Sequence, residues 1–234
     1  MKNNIEKLDF STVLAGSVHD MKNSLAMLLG SLADISSEYE GANCSIKKEL
    51  SRIRHEGQRV NHDLIQLLTL YKIDHAQYYL NIEEVNIYDY LEEIRLEYKY
   101  LLNERGIDIS LQCDVTLSGF FDAELVSGVL KTIINNAYQY THDKILMSAE
   151  SINGFIKLSI ADNGKGYPPH MLFEQSAHKT TSNFGTGSTG LGLYFSSQVA
   201  ELHKNKKKCG YVQITNATPA SPGLKGGCFS IFLP

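Results

Sequence analysis

The chain has no tryptophan and only five prolines in 234 residues. Its four cysteines stand alone, without CxxC spacing: Cys44, Cys113, Cys209 and Cys228. Scattered cysteines argue against a disulfide framework or a zinc-binding motif and favour free thiols in a reducing compartment. No hydrophobic run reaches the ~18 residues that cross a bilayer, and the N-terminus lacks the apolar segment of a signal peptide. We therefore expect a cytoplasmic protein with no membrane segment in this chain.

Positive charge is not in excess either, because the formal net charge is -4. Nucleic-acid-binding domains favour basic surfaces, so we expect no nucleic-acid partner. One basic cluster, residues 204–208, is interpreted as a solvated surface loop. The hydrophobic fraction of 43% and the charged fraction of 21% are typical of a soluble globular protein.

The first seventy-odd residues repeat apolar positions at alternating spacings of three and four. Two series follow this pattern: Leu14, Val18, Met21, Leu25, Leu28, Leu32 and Ile35, then Ile46, Leu50, Ile53, Gly57, Val60, Leu64, Leu67 and Tyr71. The spacing predicts two helices with a narrow apolar seam each, joined by a turn at residues 36–45. One antiparallel hairpin buries both seams poorly, so we predict a homodimer in which two hairpins form a four-helix bundle. An intramolecular coiled coil packed on the second domain is the alternative.

This heptad pattern places a histidine on the exposed side of the first helix. If Val18 belongs to the seam, His19 points away from it, and Asn23 lies four residues later on the same face. Neutral imidazole is a competent nucleophile near neutral pH. Asp20 can orient the ring or accept its proton. Taken alone, an exposed histidine is more often just solvated, so this interpretation depends on the motifs downstream.

From residue 78 onward, short strands alternate with helices. Strands are predicted at 81–86, 107–113, 144–149, 155–161, 211–216 and 228–233, and helices at 87–105, 122–137 and 190–202. Asp122 is a candidate N-cap, and Asn153-Gly154 is a hairpin signal. The pattern predicts an α/β two-layer sandwich. The expected organisation is therefore a helical hairpin domain, 1–77, followed by an α/β domain, 78–234.

Two glycine-rich motifs indicate a nucleotide site in the second domain. Asp162-Asn163-Gly164-Lys165-Gly166 follows an apolar strand, and its glycines allow close approach or positive φ. Residues 185–193, GTGSTGLGL, lead into a helix N-terminus whose amides suit phosphate binding. Neither GxxxxGK[ST] nor a Rossmann βαβ context is present, so P-loop and dinucleotide sites are excluded. The first motif alone would be a tight turn about as often as a binding site.

Taken in order, four motifs resemble the H, N, G1 and G2 boxes of two-component sensor histidine kinases. They are His19-Asp20-Met21-Lys22-Asn23, Asn135-Asn136-Ala137, residues 162–166 and residues 185–193. The resemblance implies ATP and Mg²⁺ as cofactors, with the Asn136 amide oxygen as a metal ligand. It implies that Asp162 accepts a hydrogen bond from the adenine amino group. The nucleotide-binding residues it implies are Asn136, Tyr140, Asp162, Gly164, Gly166, Gly187, Thr189, Gly190, Leu191 and Gly192.

The same resemblance implies an activity and partners. His19 would take the γ-phosphoryl group of ATP and pass it to an aspartate of a response regulator receiver domain. Asp20 and Asn23 would assist a reverse, phosphatase activity, with Asn23 holding the attacking water. The stimulus would come from a separate sensor domain or protein. Phe173-Glu174 resembles the F box, which makes residues 173–189 a candidate lid over the nucleotide.

Three residues depart from the family's pattern. Ser24 stands where proline is common, which predicts a straighter first helix. Thr132 stands where many members have asparagine, and Gln139 stands where a basic residue usually reaches the phosphates. These departures keep open a second function, a dimeric phosphotransfer or scaffold protein with a degenerate ATPase-like domain. A third, an ATPase or serine kinase of the same superfamily, leaves His19 and the helical hairpin unexplained.

Overall fold

The computed structural model describes Val18, residues 20–32, 44–174, 191–216 and 224–234. The chain divides into two compact units, Met1–Tyr79 and Leu80–Pro234. His19, the candidate acceptor of the phosphoryl group, lies outside the described residues, as do Gly187, Thr189 and Gly190 of the predicted nucleotide site.

The first unit contains helix α1, residues 20–32, and helix α2, Cys44–Asp74. The two helices are in contact at Gly57, where a Cβ atom would lie 2.7 Å from Leu29 Cδ2. A larger residue at position 57 would require the Leu29 side chain to shift. The contact involves Leu29, which is not in the predicted seam of the first helix, so the predicted pairing of the two seams stays a prediction.

The second unit is built on a five-stranded mixed sheet in the order β2-β4-β5-β9-β8. Its strands are β2 (Asp108–Gln112), β4 (Lys144–Ile152), β5 (Phe155–Asp162), β8 (Tyr211–Asn216) and β9 (Gly227–Leu233). The β2-β4 pair is parallel and the other pairs are antiparallel. A second sheet pairs β1 (Glu83–Asn86) with β3 (Ser118–Phe121), and a third pairs β6 (Lys204–Asn205) with β7 (Lys208–Cys209).

Four helices accompany these strands: α3 (Ile87–Asn103), α4 (Ala123–Tyr140), α5 (Pro169–Glu174) and α6 (Leu191–Leu202). Helices α3, α4 and α6 pack against the five-stranded sheet. Met147, Ile160 and Phe229 are cross-strand neighbours on one face, and each is almost completely buried. Burial of such side chains contributes roughly 1.5–3 kcal/mol apiece. The predicted α/β sandwich is confirmed.

One strand was not predicted, one local prediction was wrong and one was confirmed. Strand β3 was not predicted, because it is only four residues long and contains Gly119. The basic cluster at 204–208 is a small hairpin rather than a loop, with Lys206 at positive φ in its turn. The Asn153-Gly154 hairpin is confirmed, since both residues have the positive φ that a tight turn of this kind requires.

Asp122 caps α4 as predicted and also anchors a buried histidine. Its Oδ1 accepts from Leu125 N at 3.0 Å, and its own N–H donates to His203 Nε2 at 3.0 Å. His203 Nδ1 lies 2.7 Å from Val199 O. Because Nε2 accepts and Nδ1 must donate, this arrangement holds His203 in one neutral tautomer.

We expect His203 to make the stability of the domain fall in mild acid. Burial lowers the pKa of His203, against smaller opposing effects from Val199 O and Asp122. The unfolded chain, with a histidine pKa near 6.5, then binds more protons, so stability is lost as pH falls below about 6.5. Urea midpoints are measured at pH 7.5 and at pH 5.5 for wild type and for His203→Gln. The wild-type midpoint should fall toward that of His203→Gln at the lower pH. An equal change of the midpoint with pH in both proteins would contradict this expectation.

Candidate functional site

The predicted adenine-binding carboxylate lies at the end of β5, held by backbone groups of the turn that follows and of β9. Asp162 Oδ1 accepts from Gly164 N at 2.7 Å and from Gly227 N at 3.3 Å. The Asp162 carbonyl also accepts from Gly226 N at 3.1 Å. Burial raises the pKa of Asp162, although the two N–H donors act in the opposite direction. The carboxylate is therefore fixed in direction and only partly hydrated.

The glycines of this turn are required by space and by backbone geometry. A Cβ atom at Gly164 would overlap the carbonyl oxygen of Tyr140, the last residue of α4. Gly166 has φ +75, a conformation that side chains other than glycine rarely adopt. The turn formed by residues 162–167, hereafter the G1 turn, therefore lies directly against the end of α4.

Asn163 fastens the G1 turn to the segment that follows α4. Its Oδ1 accepts from Thr141 Oγ1 at 3.0 Å, Lys144 N at 3.1 Å and Asp143 N at 3.2 Å. Its Nδ2 donates to Asp143 Oδ1 at 2.7 Å. This role of Asn163 was not predicted from the sequence, although an asparagine between Asp162 and a glycine is a familiar turn former. One side chain thus links two parts of the predicted nucleotide site.

Helix α4 presents its predicted site residues on an exposed face. Asn136, Gln139 and Tyr140 are all exposed, and Tyr140 ends the helix beside the G1 turn. Asn136 lies four residues earlier, about 6 Å along the helix axis. The structure therefore brings Asn136, Tyr140, Asp162, Gly164 and Gly166 to the same end of the domain.

Thr132 belongs to the packing between helices rather than to this exposed face. It is buried, and its Oγ1 donates to Gly128 O at 2.7 Å. A Cβ atom at Gly192 would lie 2.5 Å from Thr132 Cγ2. Gly192 and the preceding Leu191 begin α6, so the described part of the G2 motif sits directly over α4 at this point.

We predict that Gly192→Ala destabilises the domain by about 1–3 kcal/mol, because the added methyl overpacks the contact with Thr132. Thr132→Ser removes the methyl that would be struck. The double variant Gly192→Ala, Thr132→Ser should therefore be more stable than the sum of the two single effects by about 1 kcal/mol. Urea unfolding of the four proteins measures this coupling; strict additivity would show that the two residues do not meet.

The first unit carries the remaining predicted site residues. Asp20 and Asn23 are both exposed on α1. Across the described ranges, no group of three or more His, Cys, Asp or Glu side chains is placed to hold a metal ion. No described helix is both long enough and apolar enough to cross a membrane.

Comparison with known proteins gives consistent results. The sequence profile of the family described as "Histidine kinase-, DNA gyrase B-, and HSP90-like ATPase" matches residues 121–234. "Histidine kinase P4" of Formosa agariphila is 25% identical over 212 residues, covering 86% of this chain and 15% of that protein. "Sensor protein BceS" of Halalkalibacterium halodurans is 29% identical over 155 residues, covering 64% of this chain and 46% of that protein. The chain thus spans less than half the length of these curated relatives.

A solved structure of full-length ShkA in complex with AMPPNP shares the fold. It superposes with a TM-score of 0.63 at 21% identity, covering 95% of this chain and 45% of that one. At this identity the likeness bears on the fold alone. The family profile covers both strands that hold Asp162, and the two relatives named above are a histidine kinase and a sensor protein. Residues 121–234 are therefore a domain of the histidine kinase, DNA gyrase B and HSP90 ATPase type, and the chain is similar to a histidine kinase and to a sensor protein.

Proposed function

We propose that this chain is an ATP-dependent protein-histidine kinase of a two-component system that phosphorylates itself on His19. The observation that carries the proposal is the G1 turn, in which Gly164 N and Gly227 N hold the Asp162 carboxylate beside the exposed end of α4. This arrangement suits the edge of a purine base that donates a hydrogen bond. The match of residues 121–234 to this ATPase family supports ATP as the nucleotide, and ShkA was solved with the ATP analogue AMPPNP.

In this proposal Asp162 accepts a hydrogen bond from the adenine amino group. Its Oδ1 is already engaged by two N–H donors, so the carboxylate does not need to reorient when the base arrives. Tyr140 is exposed next to the turn and offers an aromatic surface to the nucleotide. Leu191 and Gly192, with Gly187, Thr189 and Gly190 outside the described residues, would face the phosphates from the start of α6.

Mg²⁺ fits the chemistry of Asn136, whose amide oxygen is a suitable ligand on the exposed face of α4. Mg²⁺ usually keeps several waters and takes few protein ligands besides the phosphates, so a single amide is compatible with the described residues. When bound, the ion neutralises charge on the phosphates during transfer. Gln139, exposed three residues later, adds hydrogen-bonding groups but no charge.

The proposed reaction forms a bond from an imidazole nitrogen of His19 to the γ-phosphorus and breaks the bond from that phosphorus to the bridging oxygen of ADP. Asp20 orients the ring and accepts its proton. The phosphoryl group then passes to a carboxylate oxygen of an aspartate on a response regulator receiver domain. In the reverse activity, Asn23 holds the water that hydrolyses the phosphorylated receiver.

We also propose that the first unit self-associates into a four-helix bundle. Several seam residues stay exposed in a single hairpin, among them Leu28 by 62%, Ile53 by 46% and Val60 by 45%. These side chains line an open apolar groove between α1 and α2 together with Leu25 and Leu32. A second hairpin would cover that groove, as bundle packing favours.

The test is incubation of the purified chain with Mg²⁺ and γ-labelled ATP. We expect label that is lost in acid and kept in base, as a phosphoramidate bond requires. Label that survives acid would place the acceptor on a hydroxyl and contradict the proposal. ATP binding without any label would favour the alternative function, a phosphotransfer scaffold. The uncharged Gln139 is the feature that supports this alternative.

A further inference from the structure

Asn216, the last residue of β8, makes a paired contact with the exit of the G1 turn. Its Oδ1 accepts from Tyr167 N at 2.7 Å, and its Nδ2 donates to Tyr167 O at 2.8 Å. Both hydrogen-bonding groups of one side-chain amide are thus used on the backbone of a single residue 49 positions away. This geometry fixes the position and the plane of the chain at Tyr167.

Gly166, the residue before Tyr167, lies directly against the Asn216 side chain. A Cβ atom at Gly166 would lie 2.7 Å from Asn216 Oδ1, 2.8 Å from Cγ and 3.0 Å from Nδ2. A side chain at position 166 would therefore displace the Asn216 amide, besides being strained by the positive φ. The G1 turn therefore packs closely against the whole amide group of Asn216.

The contact reaches the Asp162 carboxylate through one further residue. The Tyr167 ring lies under Gly227, where a Cβ atom would be 2.9 Å from Tyr167 Cε2. Gly227 N in turn donates to Asp162 Oδ1. Asn163 holds the entrance of the turn, so Asn216 and Asn163 fasten its two sides to different strands.

We propose that Asn216 is a positioning residue for the nucleotide, which keeps the G1 turn in its binding shape before the nucleotide arrives. The proposal rests on the proposed role of Asp162 toward adenine. Fixing the backbone of flexible residues opposes binding, so a turn that is already ordered binds more tightly. Without Asn216, residues 165–167 would have to be ordered by the nucleotide itself.

Asn216→Ala should therefore weaken nucleotide binding while leaving the chemical step intact. Loss of two partly exposed hydrogen bonds predicts an increase of about 5–30-fold in the Kd for Mg-AMPPNP and in KM for ATP. The labelling rate at saturating ATP should stay within about twofold. Hydrogen exchange of the peptide that covers the G1 turn should speed up. A merely structural role would lower the melting temperature and the saturated rate without this separation.

Asn216→Asp is the second variant, because it keeps the size and the acceptor for Tyr167 N but turns an oxygen toward Tyr167 O. It should weaken binding at least as much as alanine does. Asn103→Ala is the matched control, an exposed asparagine at the end of α3 whose replacement should leave the Kd unchanged. Calorimetry on the full chain, with circular dichroism to verify folding, compares all three proteins.

Asp162→Asn, measured beside them, separates the two proposals. If Asp162→Asn loses binding while both Asn216 variants bind like wild type, the positioning role is overturned and the proposed function stands. If Asp162→Asn itself binds like wild type, the proposed nucleotide site is wrong, and the role of Asn216 is overturned with it. Weakening by both Asn216 variants, with a normal saturated rate and an unaffected Asn103→Ala control, establishes the positioning role.

Discussion

Replacement of His19 by alanine is expected to abolish phosphoryl label on the chain completely while leaving the Kd for Mg-ATP unchanged. The imidazole nitrogen is the sole acceptor in the proposed reaction, and alanine offers no nucleophile in its place. Alanine is also the best helix former, so α1 should persist. The nucleotide site lies in the other unit of the chain, which is why its affinity should not change.

His75→Ala is the matched control for this experiment. His75 is an exposed histidine directly after α2, and its ring lies near Tyr71 O. Its variant should label at the wild-type rate, since the proposal gives it no role. Acid-labile phosphate on His19→Ala, or its loss from His75→Ala alone, would move the acceptor away from position 19.

The parts of the site that follow from local geometry could be predicted from sequence. A strand that ends in Asp162 and continues through two glycines indicates a turn with close backbone approach, and the structure shows both conditions at Gly164 and Gly166. The Asp122 cap of α4 was predicted for the same reason, because capping depends on residues three positions apart.

The residues that hold the turn in place could not be predicted, because their partners are distant in the chain. The contact of Asn216 with Tyr167 depends on where β8 lies beside the G1 turn, which no local pattern encodes. The place of Thr132 could not be predicted from the sequence either. From the sequence it is a departure from the asparagine that many family members have, whereas the structure shows it buried, bonded to Gly128 O and packed against Gly192, where its size affects the packing of α6.

Asp162→Asn is expected to weaken nucleotide binding strongly without destabilising the fold. A hydrogen bond to a charged acceptor contributes about 1.5–3 kcal/mol, so losing it should raise the Kd for Mg-ATP roughly 10–150-fold. An amide at this position can still accept from Gly164 N and Gly227 N through its oxygen. The backbone contacts that shape the turn are therefore kept, and the effect on binding reports the charge.

The effect of the Asp162 charge on the free energy of unfolding has a definite sign. Because burial raises the pKa of Asp162 above the unfolded value near 3.9, the folded chain binds more protons than the unfolded chain in the window just above that value. The charged carboxylate thus opposes folding at neutral pH. This destabilisation diminishes as pH falls toward the unfolded pKa and is absent below it. Asp162→Asn should melt at or slightly above the wild-type temperature at pH 7.5, as expected of a residue kept for function rather than stability.

Asp114→Asn provides the control of opposite sign. The N–H and hydroxyl of Thr116 lower the pKa of Asp114, so its charge favours folding at neutral pH. Its asparagine variant should melt at or below the wild-type temperature and bind Mg-ATP normally. Calorimetry and thermal melting of the three proteins at pH 7.5 test both expectations together. A destabilised Asp162→Asn with unchanged affinity would show that this carboxylate supports the fold, and the nucleotide site would then have to be sought elsewhere in the domain.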